Sequence, residues 1–249
     1  MRHDFFPGFK NDKPHLPDYQ CNPADIVMLC VTTKLRAVKR LPVLLSVIAG
    51  MVDLTGFLTL GKVFTAHVTG NLVLMAADLS HGGQASATQL LIVPAFVLAV
   101  ACAWLIAKLS RAHRMQPLRS LLLCQLVLLA CVPLLSRLPV IAAVTAACAM
   151  GCQFALIRLE LPGSPSTAVM TGNVTDAVLA LLDTMTARGP STRVTSDRLK
   201  HSIQVLAGFV GGCVIAGFAV AWLNHGAWAL PIALAAAALL VHQRDDEPP

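Results

Sequence analysis

Charge is scarce in this chain of 249 residues: 13% are Asp, Glu, Lys or Arg, against about a quarter in soluble domains. Aromatic residues are few as well, at 5%, with a single Tyr. So little charge beside 56% hydrophobic residues, gathered in long runs, excludes an ordinary water-soluble domain and points to a membrane protein. No Cys-x-x-Cys occurs. Of the eight Cys, Cys21 and Cys30 precede the apolar region, and Cys102, Cys124, Cys131, Cys148, Cys152 and Cys213 lie in apolar runs, where they read as small hydrophobes. Gly-x-Ser-x-Gly, a Gly-rich phosphate loop and metal-ligand spacings are all missing, so no enzyme, cofactor or metal site is expected. The formal charge of +6 is spread between apolar segments instead of forming one patch. That placement speaks for loop orientation and against nucleic acid as a partner.

What the chain does contain is a repeated polar break. His67-Val68-Thr69-Gly70-Asn71 recurs as Val169-Met170-Thr171-Gly172-Asn173. Gly and Asn are poor helix formers in the middle of apolar segments. Each copy follows an apolar segment with one polar interruption, Asp53 in the first half and Gln153 in the second. Paired breaks at matching positions of two halves are a signature of transporter-like membrane proteins.

Eight apolar segments follow a polar, Pro-containing tail over residues 1–40, expected to be disordered and cytoplasmic. Its Lys34, Arg36, Lys39 and Arg40 abut the first segment. The segments run 41–60, 63–79, 88–107, 120–136, 139–157, 166–182, 203–223 and 227–241, and a short acidic tail occupies 243–249. If all eight cross, the basic loop after the third falls outside. If the two Thr-Gly-Asn segments enter and leave on one side, only Lys62 and Arg137 of 19 Lys and Arg remain outside. The positive-inside rule favours the second arrangement. The reading is therefore an all-α membrane domain over 41–242, with about six transmembrane helices and two broken or re-entrant segments. Its halves, 41–136 and 138–242, contain an odd number of crossings each and so form an inverted repeat. Both termini are placed in the cytoplasm, and the membrane is the inner (plasma) membrane.

Asp53 lies deep in an apolar segment, where an ionisable group costs several kcal/mol unless it is paired or hydrated. His67 is the nearby partner for it and a residue able to relay protons. Thr69, Asn71, Thr171 and Asn173 offer donors and acceptors at the two breaks, and Gln153 stands in for Asp53 in the second half. The competing reading is capping, in which these side chains satisfy freed backbone while Gly70 and Gly172 let two helices touch. Asp176 has Leu74 at its repeat equivalent and so does not follow the symmetry. Gly208 and Gly212, like the stripe Ala95, Ala99 and Ala103, read as helix-packing positions.

The runs Ala49-Gly50-Met51-Val52-Asp53-Leu54-Thr55-Gly56-Phe57, Phe64 through Asn71, Ala149-Met150-Gly151-Cys152-Gln153 and Met170-Thr171-Gly172-Asn173-Val174-Thr175-Asp176 together resemble the YoaK family, bacterial membrane proteins defined as a domain of unknown function. The resemblance covers roughly residues 38–242. It implies a polytopic inner-membrane protein and no particular activity. In that family the second motif more often reads Thr-Gly-Thr, so Asn173 is a departure. Two functional expectations stand side by side. One is a secondary transporter with a central site between the two Thr-Gly-Asn segments, taking a small molecule or ion. The other is a non-transporting scaffold or regulatory protein. The lipid bilayer and a second copy of the chain are the expected partners.

Overall fold

A computed structural model describes the backbone of residues 23–81, 86–164, 170–186 and 192–244, and side chains within 41–81, 86–164, 170–183, 185 and 199–242. All regular structure among these residues is helical. The helices are α1 (Pro23–Thr59), α2 (Val68–Ser80), α3 (Ala87–Ala112), α4 (Pro117–Leu134), α5 (Pro139–Glu160), α6 (Met170–Thr186), α7 (Thr192–Leu223) and α8 (Ala229–Arg244), with a 3-10 turn, Asn224–Trp228, between the last two. The N-terminal tail up to residue 22 and the acidic end 245–249 lie outside the described residues.

Several helices outrun their apolar segments. α1 starts at Pro23, not Leu41, and α7 at Thr192, not Ile203. Helix α1 thus takes in Pro23–Arg40, part of the stretch read as a polar tail. Pro23 occupies the first helical position, where its missing N–H costs nothing. The Lys, Arg and Leu that follow are good helix formers whether or not they are apolar.

Among the described residues, five stretches are long and apolar enough to cross a membrane: Leu41–Thr59, Ala87–Ala112, Pro117–Leu134, Pro139–Glu160 and Leu199–His242. The last holds two helices, α7 and α8, parted where Asn224 takes a left-handed φ of 49°. α2 is shorter, 13 residues, or about 20 Å at 1.5 Å per residue. That length falls short of the roughly 30 Å hydrocarbon core.

α1 and α5 form the buried centre. In α5, the Ala, Cys and Met side chains and the Gly151 backbone between Ala142 and Cys152 are covered on nearly every side. Small residues let neighbouring helices close in, and each central helix has one such partner. α7 lies along α1 with Gly208 over the Val43 carbonyl, Gly212 over the Val47 carbonyl and Gly217 beside Leu54. The paired residue numbers rise together, so the two helices are parallel. Gly50 answers from α1, against the Phe209 carbonyl. α3 lies along α5 in the same manner. Cys148 Sγ donates to the Ala95 carbonyl at 3.7 Å, Gly151 abuts Ala99 and Phe96, and Arg111 reaches Glu160, so this pair is parallel as well. α2 packs on α3, α6 on α7, and α8 on α4 and α1.

Candidate functional site

The break between α1 and α2 is built by the end of α1. Gly61 takes a φ of 89° and Lys62 one of 58°, and Lys62 N–H donates to the Phe57 carbonyl at 3.1 Å while Leu60 N–H donates to Gly56. A six-to-one bond around a left-handed glycine is the Schellman ending of a helix. Trp228 Nε1 donates to Thr59 Oγ1 at 3.3 Å and ties the same end to the turn after α7. The chain then runs without helical structure through residues 61–67. A segment with no internal ladder needs its backbone groups satisfied from elsewhere.

Asp53 and Asn71 supply those partners. Asp53 Oδ1 accepts from Thr65 N at 2.7 Å, Ala66 N at 2.8 Å and Thr65 Oγ1 at 3.3 Å. Its Oδ2 meets His67 Nδ1 at 2.7 Å. Asn71 Oδ1 accepts from Phe64 N, and its Nδ2 donates to the Phe64 carbonyl. Asp53 and Asn71 are buried, whereas the His67 side chain keeps 34% of its surface exposed. The His67 ring sits edge-on to Phe209 of α7, centroids 5.2 Å apart. With Nδ1 turned to the carboxylate, Nε2 is the nitrogen left to gain or lose a proton.

Asp53, His67 and Asn71 therefore meet in one place, and the other candidates do not join them. Thr69 is exposed on the first turn of α2, and Gly70 packs on the Phe64 ring of its own loop. Gln153 lies in a separate buried spot, donating to the Leu45 carbonyl at 2.9 Å and accepting from Gln125 Nε2 at 2.6 Å. Leu45 is eight residues from Asp53, about 12 Å along the helix. On α6, Thr171 is exposed, Gly172 is half-buried, and Asn173 is buried with its amide toward Met170 Sδ at 3.8 Å. Val169 lies outside the described residues.

A central site between the two Thr-Gly-Asn segments would call on both α2 and α6. α2 and α6 share no packed interface among the described residues. The reason is their own composition. Leu72, Val73 and Leu79 of α2, and Val174, Val178 and Leu182 of α6, are exposed apolar side chains, which turns both helices outward and leaves the centre to α1 and α5.

Sequence reasoning passed over Gln125. It is fully buried in α4, and its Oε1 has no hydrogen-bond partner among the described residues. One polar residue in an apolar helix was its signal, the same one that marked Gln153. Thr65 and Phe64 were also passed over, since they act through their backbones. Among the described residues no group of three or more His, Cys, Asp or Glu is arranged to hold a metal ion.

Apolar helices of crossing length, small-residue helix contacts and a buried acid beside a helix break define an α-helical membrane protein. The chain belongs to the family described as protein of unknown function DUF1275, whose model matches residues 41–241, in keeping with the resemblance read from its motifs. Among curated proteins and among solved structures, no match to the chain was found.

Proposed function

We propose that the chain is a secondary transporter of the inner (plasma) membrane, without enzymatic activity, in which the Asp53–His67 pair carries a proton. The observation behind this reading is the 2.7 Å contact of a buried carboxylate with a part-exposed imidazole, set where α1 and α2 are interrupted. Ionisable groups at such depth mark proton or substrate paths, and interrupted helices are where transporters hold their substrates and ions. Asp53 is twelve residues past Leu41, about 18 Å along the helix. It therefore lies beyond the middle of the layer, towards the end at which α1 stops. The solute is a small molecule or ion.

The packing supports an inverted repeat. Exchanging α1–α4 for α5–α8 turns the α1–α7 pair into the α5–α3 pair, and the contact of α2 on α3 into that of α6 on α7. The Gln153–Leu45 bond bears on direction. Leu41 is four residues before Leu45, about 6 Å, and Glu160 is seven after Gln153, about 10 Å. With α1 and α5 antiparallel these two ends lie nearly level. With them parallel, the Leu41 end would be about 15 Å out of step with the Pro139 end. Antiparallel central helices match six crossings, cytoplasmic termini, and α2 and α6 as partial segments.

A second reading, a scaffold or regulatory membrane protein, has its own support. Both side-chain bonds of Asn71, and three of the four of Asp53, go to the 64–66 segment, as structural clamps would. Purified protein in liposomes separates the two. An outward gradient of each of several solute classes (amino acids, organic acids, sugars, inorganic cations) is imposed, and internal pH is followed with a trapped dye. The transporter reading expects solute-dependent pH change for at least one class. The scaffold reading expects none.

A further inference from the structure

At the end of the molecule where α3 turns into α4, the last turn of α5 comes alongside. Arg111 donates to Glu160 at 2.5 Å and joins the two. Arg114, three residues past Arg111 in the turn at a φ of 56°, and Arg158, two residues before Glu160 in the last turn of α5, belong to the same end. Both are exposed, and neither guanidinium has a hydrogen-bond or ion-pair partner among the described residues. Glu160 is the sole acid in α3, α4, α5 and the turns joining them, and it is already engaged by Arg111. Cationic forks with no internal partner form a site for a phosphate group.

The surroundings say which phosphate. Trp104, Lys108 and Arg111 follow one another along α3 at spacings of four and three residues, one face of the helix. Trp104 is 53% exposed, and the Lys108 ammonium lies 5.1 Å from its ring centroid. Met115 in the turn is exposed too. A Trp–Lys pair of this kind sits at headgroup level, with apolar wall on one side and the arginines on the other. Free phosphate would use only the second half of that surface. A phospholipid uses both.

We infer that this end of the bundle binds an anionic phospholipid, its phosphodiester between Arg114 and Arg158 and its acyl chains against the Trp104 face. The inference stands whether or not the protein transports. It is tested by thermal unfolding of the full chain in neutral detergent with phosphatidylglycerol, phosphatidylcholine or inorganic phosphate added. Phosphatidylglycerol should raise Tm by roughly 3–8 °C, and the other two by about 1 °C or less. Arg114→Ala with Arg158→Ala should remove most of that rise, whereas Lys62→Ala with Arg137→Ala should keep it. Native mass spectrometry of the wild type should show phosphatidylglycerol retained in preference to phosphatidylcholine. The inference is overturned by equal shifts with both lipids, by a phosphate shift matching that of phosphatidylglycerol, or by an undiminished rise in the double arginine variant.

Discussion

Asn71 and Phe64 close a two-bond ring: Phe64 N–H donates to Asn71 Oδ1 at 2.8 Å, and Asn71 Nδ2 donates to the Phe64 carbonyl at 2.7 Å. The amide side chain thus takes the place of a neighbouring strand or helix for one residue of the break. This is more than a helix cap, which is worth about 1 kcal/mol. Asn71→Ala should orphan both groups of Phe64 and lower stability by roughly 2–6 kcal/mol, at about 1–3 kcal/mol per unsatisfied buried group. Chemical unfolding in mixed micelles measures it. A loss of under about 1 kcal/mol would return Asn71 to the role of an ordinary cap.

The α1–α7 contact makes a second prediction. A Cβ on Gly212 would fall on the Val47 carbonyl, and one on Gly50 on the Phe209 carbonyl, while one on Gly211 meets nothing within 4 Å. Gly212→Ala and Gly50→Ala should each destabilise by about 1–3 kcal/mol, the usual cost of overpacking. Gly211→Ala should be neutral or gain up to about 1 kcal/mol, since Ala is the better helix former. Melting temperatures of the three variants in one detergent check the order.

The glutamine pair calls for a coupling measurement. Gln153→Leu takes the acceptor from the buried Gln125 amide, a cost of about 1–3 kcal/mol, while the Leu45 carbonyl loses a second donor and keeps its helical one. Gln125→Leu removes an acceptor that is already unsatisfied. Together the two changes should cost less than the sum of the singles, by 0.5 kcal/mol or more. Strict additivity would mean that the amides act independently.

Topology is open to direct labelling. In a Cys-free background, a Cys at Met115 should resist an impermeant maleimide added from outside, and a Cys at Leu138 should react. The reverse pattern, or outside labelling at both positions, would contradict six crossings with cytoplasmic termini.

Much of this could be read from residues alone, and the exceptions have physical causes. Asp53, His67 and Asn71 were legible because polar groups in apolar segments must find partners; Asp53 and His67 find each other, and Asn71 finds the backbone of Phe64. The apolar cores of the long helices were legible from hydrophobicity alone. Their outer ends were not, since Lys and Arg continue a helix as readily as they form a loop. A Gly in an apolar segment has two meanings. It can admit a second helix, or, as Gly70 does with Phe64, a side chain of its own loop. Gln125 and Gln153 could each be seen as buried and polar, but their pairing depends on the turn between α4 and α5, which sequence spacing does not set.

The transport claim turns on His67, which can be changed without dismantling the loop. In His67→Gln the bonds from Asp53 Oδ1 to Thr65 and Ala66 have no reason to break, whereas the titrating nitrogen is gone. The measurement is solute-driven pH change in liposomes carrying wild type or His67→Gln, with the melting temperature of each preparation recorded alongside. The account predicts that His67→Gln melts within about 3 °C of wild type, the shift expected for a change of about 1 kcal/mol, yet loses at least tenfold of the proton flux. Full flux in His67→Gln, or no flux in wild type for any solute class, would contradict it.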